Sequence, residues 1–274
     1  MATTMERPGP PTVHPRPKRR APWPVEFYRS AVGKKWVMAL TGIALMGFIF
    51  FHAFGNLKVY LGAADFNHYG EFLRQILVPL MPRTWTLWLA RSGLIVAFGL
   101  HIHSAYGLTR MNRRARGTGY ESHRDYQAAN IASRSMRWTG VIILLFLIFH
   151  LADLTWGTVN PDFVRGDVYR NFLASFTRPW VAAIYIVANL ALAIHLFHGA
   201  WSMFQSLGLN NPRWNSWRRS FAIGFATVVG VMNLSFPIAV QAHWLDAKTN
   251  PDCKTRGDVI VDCTQYLHHQ EAAK

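Results

Sequence analysis

Residues 180–207, WVAAIYIVANLALAIHLFHGAWSMFQSL, decide the fold of this chain. The segment is longer than the roughly 20 apolar residues that a helix needs to cross a lipid bilayer. Its second half nevertheless carries His195, His198, Ser202 and Gln205. Polar groups that lack partners are costly in lipid, so polar residues inside a span are candidates for function.

Four other segments approach or exceed the same length, and 51% of the 274 residues are hydrophobic. The sequence therefore predicts an all-α membrane protein, a bundle of five transmembrane helices over residues 31–243 in the cell (inner) membrane. The predicted spans are Trp36–Leu57, Trp85–Thr109, Trp138–Trp156, Trp180–Leu207 and Phe221–Val240.

The formal net charge of +15 is distributed unevenly along the chain. If the N-terminus is cytoplasmic, the segments on that side hold 18 Lys/Arg and 4 Asp/Glu, whereas the outer segments hold 10 Lys/Arg and, together with Asp153 near the outer end of span three, 10 Asp/Glu. The positive-inside rule then predicts the N-terminus inside and the C-terminus outside. This placement accounts for the basic charge by topology and lipid contact, with no nucleic acid partner.

The segments outside the spans have three different characters. Residues 1–30, rich in Pro and Arg, are predicted to be a disordered cytoplasmic extension. Residues 62–84 are too polar to cross and are expected to form an interfacial helix on the outer face. The extracytoplasmic tail, residues 244–274, holds the two cysteines, Cys253 and Cys263, for which a disulfide and a metal site remain open.

Each of the first four predicted spans carries histidine late in its course, so the histidines alternate between the two halves of the membrane. The outer ones are His52 and His150, and the inner ones are His101, His103, His195 and His198. An axially ligated haem needs two imidazoles that face one another, and the facing helices of a bundle can supply them. Spans one and three would supply the outer pair, and spans two and four the inner pair.

The residues leave the inner pair open. His101 and His103 are about 200° apart around a helix, so only one of them faces the interior, whereas His195 and His198 share a face. Intervals of 49, 49 and 48 residues between His52, His101, His150 and His198 give a small preference for that set. A single intramembrane histidine can be purely structural, but four at alternating depths favour a shared role.

Four short motifs follow one another in this five-span chain over roughly residues 30 to 245. They are HAFGNL at 52–57, HSAYGL at 103–108, SRSMRWTG at 133–140 and HGAWSMFQSLG at 198–208. In this order and spacing the sequence resembles the single-polypeptide, five-helix cytochrome b membrane anchors of succinate dehydrogenase and fumarate reductase (complex II). The resemblance implies an anchor that docks a flavoprotein and an iron–sulfur subunit, which hold the succinate chemistry, and that passes electrons to membrane quinone.

The resemblance also implies haem b, two copies or fewer, as the cofactor. The motif HSAYGL sets His103 above His101 as an inner ligand, and His195 stays an alternate to His198. A histidine-ligated iron–sulfur (Rieske-type) centre in place of haem remains open, with Cys253 and Cys263 as weak candidates. The implied axial ligands are His52, His103, His150 and His198.

A quinone site needs an apolar slot with hydrogen-bond donors for two carbonyl oxygens. Ser202 and Gln205, at the inner end of span four, are candidate donors, and Tyr106 and Trp201 are candidate walls. The basic segment 110–137, with its seven Arg, is where the soluble subunits are expected to dock, or where anionic lipid is bound. A higher oligomer of the complex also remains open.

Arg91 lies about two turns into the second span, where an unpaired charge is costly. It either holds a haem propionate or forms an ion pair with Asp153, and the sequence leaves both open. Two other classes of protein also remain: a di-haem cytochrome b of the hydrogenase or ferric-reductase type, and a non-redox membrane protein. Dicarboxylate chemistry does not belong to this chain, because no flavin or nucleotide fingerprint of the G-x-G-x-x-G kind is present.

Overall fold

Each long apolar segment of the sequence forms one helix in the structure, a computed structural model that describes residues 21–115, 131–246, 254–256 and 259–262. The helices are α1 (Trp23–Arg29), α2 (Ala31–Asn56), α3 (Ala63–Gln75), α4 (Trp85–Arg114), α5 (Ile131–Leu154), α6 (Val168–Phe176), α7 (Pro179–Ser206) and α8 (Asn215–Gln241). Short 3-10 helices occupy Leu57–Leu61 and Pro212–Trp214, and strand β1 (Lys254–Arg256) pairs antiparallel with β2 (Val259–Asp262).

Five of these helices, α2, α4, α5, α7 and α8, are long and apolar enough to cross a membrane. The predicted fold class is therefore confirmed, while the orientation of the termini stays a prediction. The helices extend past the apolar limits of the sequence: α2 begins at Ala31 and α4 continues to Arg114. Basic residues at these ends are tolerated because their long side chains can reach the headgroup region.

The beginning of α2 is fixed by a side-chain cap. Ser30 Oγ accepts a hydrogen bond of 2.9 Å from the backbone N–H of Gly33, which is a typical N-cap contact. Just before it, within the predicted extension 1–30, Trp23–Arg29 form α1, with proline in its first turn and Trp23 stacked on Phe27. Residues 1–20 of that extension lie outside the described residues.

Two short helices close the outer end of the bundle. The predicted interfacial segment forms α3, which ends at Gln75, and the rest of that segment turns back toward α4. The sequence did not predict α6, whose apolar side chains are buried against α3, α7 and α8. Asn67 of α3 donates a hydrogen bond of 3.0 Å to Asp167, the N-cap residue of α6, and this contact joins the two helices.

The five spans are not packed to equal extents. Helices α7 and α8 pack along each other, α2 packs against α4 and α7, and α5 packs mainly against α7. In the most apolar stretch of α4 no residue is buried, compared with 39% of the residues in those of α7 and α8. Helices α4 and α5 are therefore each packed against one main partner, α2 and α7 respectively.

Candidate functional site: two histidine pairs

The outer histidines meet between α2 and α5. The ring centroids of His52 and His150 are 6.0 Å apart and their planes are perpendicular. One turn earlier on each helix a phenylalanine contacts the same ring, Phe48 stacking on His52 and Phe146 lying against His150. The aromatic contacts limit how far each imidazole can rotate away from its partner.

The inner histidines that meet are His101 of α4 and His195 of α7, with ring centroids 6.5 Å apart and planes at 61°. Nδ1 of His101 donates to the backbone carbonyl of Met38 at 3.1 Å. Nδ1 of His195 lies 3.1 Å from the Oγ1 of Thr139, whose own proton is donated to a backbone carbonyl. Both rings therefore carry their proton on Nδ1 and have an unprotonated Nε2, as metal-ligating histidines commonly do when a neighbour fixes the other nitrogen.

The surroundings of the inner pair come from an internal repeat. Residues 38–52, MALTGIALMGFIFFH, and residues 136–150, MRWTGVIILLFLIFH, share Met, Thr, Gly, two Phe and His at the same positions. In each copy the Thr–Gly dipeptide lies against an inner histidine and the final histidine belongs to the outer pair. Ten residues of helix separate the two levels, so the pairs lie about 15 Å apart along the helix axes.

The glycines of the repeat leave the inner rings uncovered. A Cβ at Gly42 would lie 3.4 Å from Cε1 of His101, and one at Gly140 would lie 3.8 Å from Cε1 of His195. Any larger side chain at these positions would extend over the imidazoles. This repeat is the signal in the sequence that could have identified His101 and His195 as the facing inner residues.

The two histidines that the resemblance favoured for the inner layer have other neighbours. His103 is exposed, and its Nδ1 lies 2.5 Å from the hydroxyl oxygen of Tyr28 in α1. His198 lies against the ring of Phe197, the residue before it, with centroids 4.7 Å apart. The structure thus brings together the two alternates, because only one member of the His101/His103 doublet can face α7.

A charged group lies behind the outer pair. Nδ1 of His150 is 3.1 Å from the hydroxyl of Tyr185, which donates a hydrogen bond of 3.2 Å to Asp153. Asp153 is fully buried and forms an ion pair with Arg178 at 2.7 Å. It also accepts a hydrogen bond of 2.7 Å from Ser175. On the other side of the pair, Nε2 of His52 lies 3.3 Å from the amide nitrogen of Asn56.

This ion pair corrects one alternative from the sequence. Asp153 is paired with Arg178, not with Arg91, because Arg178 stands at the N-terminus of α7 directly beside the last turn of α5. The guanidinium of Arg91 instead lies over the ring of Trp88, 5.2 Å from its centroid.

The candidate quinone residues fall into two groups. On α7, Trp201 has a buried Nε1 with no hydrogen-bond partner among the described residues, while the hydroxyl of Ser202 donates to the carbonyl of Gly199 at 3.3 Å. Gln205 is exposed on the same helix, and Tyr106 of α4 is 65% exposed. The cysteines Cys253 and Cys263, and residues 116–130 of the basic segment, lie outside the described residues.

The geometry of both pairs fits an iron atom between two imidazoles. With metal–nitrogen bonds of about 2 Å, two rings on one metal have centroids roughly 6 Å apart, as in both pairs here. The described residues contain no group of three or more His, Cys, Asp or Glu that could hold a metal ion. Two protein ligands per site suit haem, whose porphyrin supplies the other ligands, better than a Rieske-type cluster, which needs two cysteines as well.

Comparison with known proteins gives one match. The family model described as Succinate dehydrogenase/Fumarate reductase transmembrane subunit matches residues 109–234, from the end of α4 to the second half of α8. No curated protein and no solved structure matches the chain. The matched region includes His150, His195 and the second copy of the repeat, and it confirms the resemblance found in the motifs. Over these residues, a little under half of the chain, the protein is therefore similar to the transmembrane subunits of succinate dehydrogenase and fumarate reductase.

Proposed function

We propose that this chain is the membrane-anchor and electron-transfer subunit of a succinate:quinone oxidoreductase in the cell (inner) membrane. It docks the flavoprotein and iron–sulfur subunits, which carry out the succinate chemistry, and passes their electrons to membrane quinone. The observation that carries the proposal is the pair of histidine contacts at two depths, built from four different spans of a chain that is similar to this family over residues 109–234.

The proposed ligands follow the contacts in the structure. One haem b is held by His52 and His150 in the outer half, and a second by His101 and His195 in the inner half. When bound, haem supplies one-electron transfer. The chain orients the two inner imidazoles through the hydrogen bonds on their Nδ1 atoms and leaves room beside His101 at Gly42. Levels about 15 Å apart divide a hydrocarbon core of about 30 Å into shorter electron transfers.

Arg91 is proposed to hold a propionate of the outer haem. It precedes His101 on α4 by ten residues, as Tyr185 precedes His195 on α7. Tyr185 reaches the outer ligand His150, so the corresponding position on α4 lies at the level of His52. A guanidinium at this depth is suited to bidentate recognition of a carboxylate.

The quinone is proposed to bind at the inner end of α7. Trp201 offers a buried N–H that no described residue accepts, and a quinone carbonyl is an acceptor of the right kind. Ser202 directly follows Trp201 and Gln205 lies one turn further along the helix. Both supply polar groups at the mouth of the site, and Tyr106 of α4 is proposed as a wall for the quinone ring. The basic segment 110–137 is proposed to bind the soluble subunits and anionic lipid.

The test is a reduced-minus-oxidised spectrum of the purified complex with haem and iron quantified. We expect two b-type haems per copy of this chain. Changing His101 or His195 to Ala should remove the inner haem, whereas the matched changes of His103 or His198 to Ala should retain it, because these side chains lie outside the facing pair.

The opposite pattern, with the haem lost on changing His103 or His198 and kept on changing His101, would show that the ligands follow the motif and not the contacts. Iron without haem would favour the histidine-ligated iron–sulfur centre. A complex without iron in this subunit would overturn the redox role of the histidines.

A further inference from the structure

The four proposed haem ligands differ in the group that contacts one nitrogen of the imidazole ring. That nitrogen is Nδ1 in His101, His150 and His195, and Nε2 in His52. His101 donates to a backbone carbonyl and His195 to a hydroxyl, both of them neutral. His52 lies beside the amide of Asn56. His150 alone is connected to a carboxylate, through Tyr185 to Asp153. The two halves of the bundle therefore differ at His150, because only this ligand is hydrogen-bonded to a side chain that contacts a carboxylate.

The hydrogen bonds that link His150, Tyr185 and Asp153 can run in only one direction. The hydroxyl of Tyr185 has one proton, and a carboxylate paired with a guanidinium can only accept, so that proton is donated to Asp153. The hydroxyl oxygen is then left to accept from Nδ1–H of His150, 3.1 Å away. This arrangement sets the tautomer of His150 and leaves its Nε2 unprotonated, as an axial ligand requires.

The carboxylate of Asp153 is held in place by several contacts. Asp153 has no exposed surface, and its three contacts come from two helices: Ser175 in α6, Arg178 at the N-cap of α7 and Tyr185 within α7. In a buried site the hydrogen bonds of such a chain polarise one another. The charge on Asp153 therefore increases the electron density on the oxygen of Tyr185, and through it on the imidazole of His150.

We propose that Tyr185 and Asp153 are positioning residues that lower the reduction potential of the outer haem by way of His150. The proposal rests on the proposed function, since it takes His150 as an axial ligand. A more electron-rich ligand favours ferric over ferrous iron, and hydrogen bonding behind an axial ligand is one of the means by which a protein sets a haem potential. The inner haem, whose ligands have neutral neighbours, should not respond.

The experiment is a redox titration of the purified complex, followed by the absorbance and the electron paramagnetic resonance of each haem. Tyr185→Phe removes the acceptor of His150 and keeps the ring, which packs against Phe146 and Phe176. Asp153→Asn removes the charge. We expect both variants to keep two haems, to raise the midpoint potential of the outer haem and to leave that of the inner haem unchanged.

Asp167→Asn is the matched control. Asp167 is a similarly buried aspartate at the same end of the bundle, and it accepts hydrogen bonds from Asn67 of α3 and from the backbone N–H of Arg170 in α6. It should leave both potentials unchanged. A shift of the outer potential in this control as large as that in Tyr185→Phe would mean that general disturbance of the outer end is the cause, and would overturn the proposal.

The other possible outcomes also test the proposal. An unchanged outer potential in Tyr185→Phe overturns the proposal, as does an equal shift of both haems. If Asp153→Asn does not assemble because Arg178 is left unpaired, Tyr185→Phe decides alone, since it keeps that ion pair. Retention of both haems by His150→Ala would instead overturn the ligand assignment of the proposed function, which separates the two failures.

Discussion

At the scale of single residues, two positions along a helix separate a ligand from a surface side chain. His101 faces α7 and its Nδ1 is held by Met38 of α2, while His103 points away and contacts Tyr28 of α1. Both are histidines in an apolar helix, so residue type alone does not distinguish them. The difference lies in what the neighbouring helix presents, and here that is the Thr–Gly dipeptide at 41–42 and again at 139–140.

The glycine of this dipeptide gives a prediction at the same scale. Gly140→Leu should cover the face of His195 and prevent the inner haem from binding, while the outer haem, ten residues along α5, is retained. Gly224→Leu on α8 is the matched control, because a Cβ at Gly224 meets no atom within 4 Å. The visible spectrum of the purified complex measures both haems. Retention of the inner haem in Gly140→Leu would contradict its placement between His101 and His195.

At the scale of elements, the five long helices were predictable from the sequence, whereas the short helix α6 at the outer end of the bundle was not. The apolar runs gave all five long helices, because a length of about 20 apolar residues is a strong signal. Helix α6 has nine residues and lies between turns, so its sequence alone does not distinguish it from a polar loop. It is helical because Asp167 caps it and because Tyr169 and Leu173 are buried against its neighbours, which are tertiary effects.

The turn after α3 gives a prediction of pH dependence. Partial burial raises the pKa of Glu71, but hydrogen bonds from Gln75, Arg83 and Arg74 outweigh it and hold the pKa below the usual value of 4.5. A carboxylate with a lowered pKa stabilises the fold above its unfolded pKa, and this contribution is lost as the pH falls through the folded pKa. Glu71→Gln should therefore destabilise the protein at pH 7, by less than about 1 kcal/mol for such partly exposed ion pairs.

The difference between wild type and Glu71→Gln should shrink as the pH falls from 4.5 through the lowered folded pKa of Glu71, because below that pKa both side chains are neutral. Thermal denaturation of the detergent-solubilised complex at pH 7 and at the lowest pH that it tolerates measures this. A difference that stays constant with pH would mean that the carboxylate charge is not the cause.

At the scale of the whole molecule, the interior of the membrane domain is unevenly filled. Helices α7 and α8 bury much of each other, but α4 buries only Ser104 among its described residues and is held chiefly by α2. In the proposed complex a haem between α4 and α7, and another between α2 and α5, would add the missing contacts. The cofactors are then part of what holds the outlying helices in place.

This uneven packing predicts which helices lose the protection of their amide hydrogens when haem is absent. In complex prepared from haem-depleted cells, amide hydrogens of α4 and α5 should exchange much faster than in the haem-loaded complex, and those of α8 should change little. Mass spectrometry of exchanged, digested protein measures the three helices in one sample, so α8 serves as an internal control. Equal protection of α4 with and without haem would show that its position does not depend on the cofactor.

The repeat at 38–52 and 136–150 has a consequence for the origin of the chain. Each proposed haem takes one histidine from the first half, α2 with α4, and one from the second, α5 with α7. A protein made of a single half would therefore have only one ligand for each haem, and would need a second copy of itself to complete either site. Fusion of two such copies into one chain would make the contact between the two halves permanent. The halves could then diverge, so that the second acquired Tyr185 where the first acquired Arg91.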